Sequence, residues 1–176
     1  MDQFFQDVSN KRTDDYGGSI EKRARFGLEV VAAVAKAVGP TKTAIRLSPW
    51  STFQGKLLFF TEIWILIALL DMRMDDPVPQ FTYIVNQLRE RYSDLAYLHL
   101  AEPRIAGNAD RDAASEESND FLRDIWAPRP LISAGGFTRE SAMSLADMHE
   151  NELVAFGRYY ISNVGVRSHV FAQSDC

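Results

Sequence analysis

Cysteine is almost missing from this sequence: the 176 residues hold one, Cys176, as the last residue. No internal disulfide can form, and a CxxC metal site is excluded. Histidine is scarce too, and His99, His149 and His169 are scattered without metal-ligand spacing. Basic residues are not in excess. The 19 Lys and Arg against 24 Asp and Glu give a formal net charge of -5, which argues against a nucleic-acid footprint, since that needs a clustered basic face. The start, Met1-Asp2-Gln3-Phe4-Phe5, lacks a basic leader and an apolar run. No secretory signal is read there, and a cytoplasmic protein is expected. No repeat of fixed period and no low-complexity segment appears. Nothing resembles a paired-carboxylate hydrolase, a nucleophile elbow or a Walker loop.

Long apolar runs are also lacking, with one near exception. Residues 57–70 read LLFFTEIWILIALL. A membrane span needs about 20 apolar residues, and this window is shorter and carries Glu62. It reads as a buried or interfacial helix, with membrane association as a weaker alternative.

What is present suits one domain with a sizeable core, at 46% hydrophobic and 24% charged residues. Residues 1–18 are polar and turn-rich. Ser19 then stands as an N-cap, with Glu21 in the first turn to meet the helix dipole. Ala24, Leu28, Val31, Val34/Ala35 and Val38 follow at helical spacing until Gly39-Pro40 stops the helix. A strand is predicted at 43–47, and a helix carrying Phe81, Ile84, Val85 and Leu88 on one face. A second strand at 95–100 leads into a polar, acid-rich loop from Glu102 to about Asn119. Phe121, Leu122, Ile125 and Trp126 make a short helix, and 130–134 a third strand. Thr138 caps a helix with Ala142, Leu145 and Met148, and 153–157 is the fourth strand. Short apolar strands alternating with helices predict a parallel α/β sheet, either barrel or doubly wound.

Two strand ends carry glycine: Ser133-Ala134-Gly135-Gly136-Phe137 and Phe156-Gly157-Arg158. Glycine lets backbone N–H groups approach a phosphate closely, and an arginine adds a bidentate charged contact. The last two loops of a (β/α)8 barrel commonly form such a site. Either motif alone reads as a simple turn; together, with the arginine, they are a stronger signal. Arg46 lies inside an apolar strand, where a buried charge is costly without a partner. It is either half of a structural ion pair or a cation aimed at a ligand. His99 is a base or, by the usual burial of such residues, a satisfied core histidine. Glu102-Pro103-Arg104 follows a strand on the functional rim of a barrel, or forms a surface pair. Asp14/Asp15 and Glu116/Glu117 read as solvated loop acids.

The stretch from Asn10 to Glu21, NKRTDDYGGSIE, with Arg23-Ala24-Arg25-Phe26, closely resembles the old yellow enzymes. Ile45-Arg46-Leu47-Ser48-Pro49, His99-Leu100-Ala101-Glu102-Pro103-Arg104, Ala134-Gly135-Gly136-Phe137 and the run from Gly157 to Asn163 continue the likeness in family order. The resemblance implies a partial (β/α)8 TIM barrel, the C-terminal half with strands five to eight, over residues 1–163. An apolar insert at 56–71 interrupts it, and a divergent tail at 164–176 follows. It also implies FMN as cofactor, NAD(P)H as reductant and a small α,β-unsaturated substrate. The family moves hydride from NAD(P)H to FMN and on to an activated alkene. Arg46 would lie by the pyrimidine edge of the flavin, and Gly135, Gly136, Gly157 and Arg158 would hold its phosphate. No catalytic residue is assigned within the chain, because the family's proton donor and substrate-binding pair fall before its start. Two alternatives stand beside an FMN-dependent NAD(P)H oxidoreductase of ene-reductase type. One is an inactive half-barrel module that binds FMN or phosphate weakly; the other is a faulty gene model. A half barrel exposes sheet edges, so self-association is expected.

Overall fold

The structure, a computed structural model, describes residues 1–52, 74–107 and 109–162. The readings made on 56–71 and on the tail at 164–176 fall outside the described residues. Within them, the chain runs α1 (Asp2–Phe5), α2 (Ile20–Val38), a 3-10 turn (Pro40–Lys42), β1 (Ala44–Leu47) and α3 (Val78–Arg91). It continues through β2 (Tyr97–Ala101), β3 (Ile105–Ala106), β4 (Ala109–Asp110), α4 (Asp120–Trp126) and β5 (Leu131–Ala134). It ends on α5 (Arg139–Met148), β6 (Glu152–Ala155) and α6 (Arg158–Ser162).

The local signals act as their chemistry requires. Ser19 accepts a hydrogen bond from the Lys22 amide at the start of α2, and Gly39 closes the helix with a φ of 92°. Thr138 and Ser141 form a reciprocal capping box at α5. The apolar stripe of α3, Phe81, Ile84, Val85 and Leu88, is fully buried.

Three elements depart from the sequence reading. Residues 1–18 are not wholly turn-like, because α1 buries Phe5 against α2; a Cβ on Gly27 would stand 2.3 Å from the Phe5 ring. The acid-rich loop contains the antiparallel β3–β4 hairpin. Its turn begins at Gly107, whose φ is 65°, and a Gly-Asn step between two short runs is a hairpin signal. The segment after Gly157 turns into the short helix α6.

The main sheet has the order β1-β2-β5-β6, parallel throughout. Each strand has two faces. On one, Ile45, Leu47, Leu98, Leu100 and Leu131 are buried in a cluster with α2, α3 and α4 side chains, among them Leu28, Phe81, Leu88, Leu122 and Trp126. The other face carries the register row Arg46, His99, Ile132 and Leu153. Arg46 and Leu153 are exposed there, and His99 and Ile132 are half-buried. The predicted parallel α/β sheet is what forms, and one of its faces is open.

Candidate functional site

The C-terminal ends of the strands converge on a cavity of about 320 Å³. Arg46 from β1, His99 from β2, Gly135 and Gly136 after β5, and Gly157 and Arg158 after β6 all line it. All five residues singled out as cofactor contacts thus face one space, although they lie up to 112 positions apart in the chain.

The glycines at the end of β5 are demanded by geometry. Gly135 has a φ of 132°, and a Cβ on it would stand 2.8 Å from Ile105 Cγ1. Gly136 has a φ of 58°, in the left-handed region that side chains disfavour. Gly157 is different: a Cβ there would meet nothing within 4 Å, so the backbone borders open space.

Arg46 corrects the expectation of a buried charge. It is exposed on the open sheet face, because the alternation of β1 turns Ile45 and Leu47 to the core and Arg46 away from it. Its register partner is His99. His99 is not a satisfied core histidine either: it is half-buried, and its Nε2 is enclosed with no hydrogen-bond partner. Burial, and then the positive charge of Arg46, hold the His99 pKa below its usual 6.5. In α1, burial raises the Asp2 carboxyl above its usual range, while the N-terminal charge, Ser48 and Arg46 pull the other way.

Glu102 and Arg104 do not pair with each other. Arg104 donates from Nε to the Gly135 carbonyl at 2.7 Å and lies over the Phe137 ring at 4.3 Å. Glu102 pairs instead with Arg123 Nη2 at 2.6 Å. Arg123, which sequence patterning missed, also meets Glu152 at 3.0 Å and Asp120 at 2.9 Å, and donates to the Ser133 hydroxyl. Burial opposes its charge, but Glu152 and Glu102 outweigh that and hold the guanidinium protonated. One buried cation therefore ties α4 to β5, to β6 and to the loop after β2. Its two buried glutamate partners lie 21 and 29 residues away, and the nearby Asp120 alone reads as an ordinary helix-surface pair.

The loop acids also divide. Asp14 is exposed and paired with Arg12, and Asp15 with Lys22 at 3.4 Å. Glu117 is not a solvated acid: it is half-buried and bonds Arg111 at 2.7 Å. Asp110, at the end of the hairpin, bonds Arg158 Nη1 at 3.2 Å. That hydrogen bond holds the Asp110 carboxyl below its usual range, and the charge of Arg104 adds to the pull.

Residues 1–173 match the profile of the NADH:flavin oxidoreductase / NADH oxidase family. The chain is 46% identical over 166 residues to the chanoclavine-I aldehyde reductase fgaOx3 of Penicillium roqueforti (strain FM164), covering 93% of this chain and 40% of that protein. It is 42% identical over 170 residues to a protein of Claviceps purpurea (strain 20.1) named "Probable inactive dehydrogenase easA", with the same coverage. Among solved structures, it superposes on old yellow enzyme from Pichia sp. AKU4542 with a TM-score of 0.72 and 33% identity, over 96% of this chain and 39% of that one. The chain thus spans about 40% of the length of the curated relatives it matches.

Proposed function

The chain belongs to the NADH:flavin oxidoreductase / NADH oxidase family, and on that premise we propose that it carries the FMN-holding part of an ene-reductase-type NAD(P)H oxidoreductase. Its fold is α/β, a partial (β/α)8 TIM barrel. We read the four strands as the last four of that barrel, because the phosphate loops of such barrels commonly follow the last two strands. The observation that carries the functional reading is the convergence of Arg46, Gly135, Gly136, Gly157 and Arg158 on one cavity.

The residues present fit FMN. The bare backbone at Gly157 leaves room for a phosphate to approach the main chain, and Gly136 turns the neighbouring loop in the left-handed region. Arg158 brings a guanidinium to the same rim. Arg46 stands on the open face of β1, where its charge can face an electron-rich ring edge. His99, held neutral beside it, adds an imidazole nitrogen without hydrogen-bond partner. When bound, FMN would supply hydride transfer between NAD(P)H and a small α,β-unsaturated substrate. The role of this chain is to bind and orient that group.

A second reading is an inactive module that binds FMN weakly. The open sheet face favours it, since Leu153 at 66% exposure and Tyr97 at 36% have no covering layer among the described residues. Such a face is expected to pair with another half barrel or with a second copy. The flavin absorbance spectrum tests both readings. Purified protein that is yellow and bleaches with NADPH supports the oxidoreductase; yellow protein that never bleaches supports the module; colourless protein overturns both.

A further inference from the structure

Asp110 and Arg104 both reach the phosphate loop, and neither belongs to the set of residues assigned to it above. A Cβ built on Gly136 would meet Asp110 Oδ1 at 3.4 Å and Arg104 Nε at 3.5 Å. A carboxylate oxygen and a guanidinium therefore converge on the same glycine. Asp110 is at the same time bonded through its other oxygen to Arg158 Nη1 at 3.2 Å, with a second contact from Arg158 Nη2 to Oδ1. One anionic group is thus held in bidentate fashion beside Gly136, against the arginine that lines the cavity.

A phosphate would need those same contacts. Arg–carboxylate and Arg–phosphate pairs share fork geometry, so Asp110 and a ligand phosphate compete for one guanidinium. The hairpin that carries Asp110 is short: β3 and β4 are two residues each, joined through Gly107. Arg104 sits at its base, fixed by the Gly135 carbonyl and the Phe137 ring. Its Nη2 is enclosed and has no hydrogen-bond partner among the described residues, so Asp110 leaves one donor beside the loop unused.

We propose that Asp110 is a built-in anion in the phosphate seat, holding Arg158 until a ligand phosphate displaces it, and that Arg104 is an additional positioning residue of that seat. The proposal rests on the reading that the cavity takes the phosphate of FMN. The carboxylate carries a single charge and the phosphate close to two. The incoming group therefore wins the guanidinium, at the cost of breaking one exposed ion pair.

The test compares FMN and riboflavin binding, by quenching of flavin fluorescence, to the whole chain and to Asp110→Asn. Asn is nearly isosteric and uncharged, and Asp110 is exposed, so folding is retained; far-UV circular dichroism and the urea midpoint verify this. An exposed pair predicts a modest gain, roughly two- to fivefold tighter FMN binding, with riboflavin, which has no phosphate, unchanged. Asp110→Ser repeats the measurement with a shorter side chain and should act in the same direction. FMN affinity that is equal or weaker in both variants overturns the proposal while leaving the FMN site intact. Equal tightening for riboflavin also overturns it, since the effect then does not involve the phosphate. Absence of FMN binding in the original chain and in both variants overturns the FMN reading and this proposal together.

Discussion

Arg46 and His99 stand side by side as register partners on neighbouring parallel strands, both on the open face of the sheet. The pairing puts a cation beside an imidazole that is already partly desolvated, and both effects disfavour a second positive charge. His99 is therefore neutral at pH 7. Its folded pKa lies below the unfolded value of 6.5. The stability linked to this group is fully present above that value and is lost as pH falls through the folded pKa. Replacing Arg46 with Gln removes the second cause and leaves burial, so the His99 pKa should rise part of the way. Imidazole proton shifts followed by NMR report this directly; an unchanged titration would show that burial alone sets it.

Gly135→Ala should destabilise the chain. The new Cβ would meet Ile105 Cγ1 at 2.8 Å and Glu102 Cβ at 3.1 Å, on a backbone with φ of 132°. Strain of this kind costs on the order of 1–3 kcal/mol. Gly157→Ala is the control, because a Cβ there meets nothing within 4 Å. Urea unfolding should separate the two variants, with only Gly135→Ala losing midpoint.

These two sites show what could be read in the sequence and what could not. Gly135, Gly157 and Arg158 carry short motifs at strand ends, so both their type and their place are local signals. Helices α2 to α5 and the parallel strands were likewise legible from spacing and caps. Arg46 was legible as unusual, yet its surroundings were misjudged, because a strand of alternating faces can turn one residue away from an apolar core. Asp110 and Arg123 were not legible, and Arg104 was noticed at its strand end without its partners. Each acts through a partner more than 20 residues distant, on another strand or loop. Only the crossover connections of the sheet bring such partners together.

Arg12 and Asp14 make an exposed pair whose effect is visible in titration. The hydrogen bond from Arg12, then one from the Tyr16 amide, lowers the Asp14 pKa from 3.8 to about 2. The linked stability is present above 3.8 and is lost as pH falls toward about 2. Arg12→Gln should bring the carboxyl back toward its usual value, as seen in carboxyl carbon shifts. A value that stays near 2 would assign the effect to the backbone amide instead.

Arg158→Gln should weaken FMN binding about tenfold, or ~1.4 kcal/mol, if its guanidinium holds the phosphate. Riboflavin binding should not change. The loss of charge also frees Asp110, so adding Asp110→Asn to this variant should alter FMN affinity less than it does alone. Fluorescence titration of the four proteins closes this cycle. Equal losses for FMN and riboflavin would move Arg158 from the phosphate to the fold.

Arg123 carries the largest structural consequence. Its guanidinium lies between Glu102 and Glu152, and the side-chain exposures of the Arg123–Glu152 pair are 9% and 3%. Removing one partner of a buried pair leaves an uncompensated charge, which costs about 3–5 kcal/mol. Domains of this size are held by only about 5–15 kcal/mol, so Arg123→Met should remove a large share of the stability. The strands tied together here, β5 through Ser133 and β6 through its first residue Glu152, are the ones that lead into the Gly135 and Gly157 loops. Loosening them should therefore weaken FMN binding before the chain unfolds. Adding Glu152→Gln to Arg123→Met neutralises the orphaned carboxylate and should recover part of the urea midpoint. If the double variant is no more stable than Arg123→Met, the cost lies in packing around the methionine rather than in the buried charge.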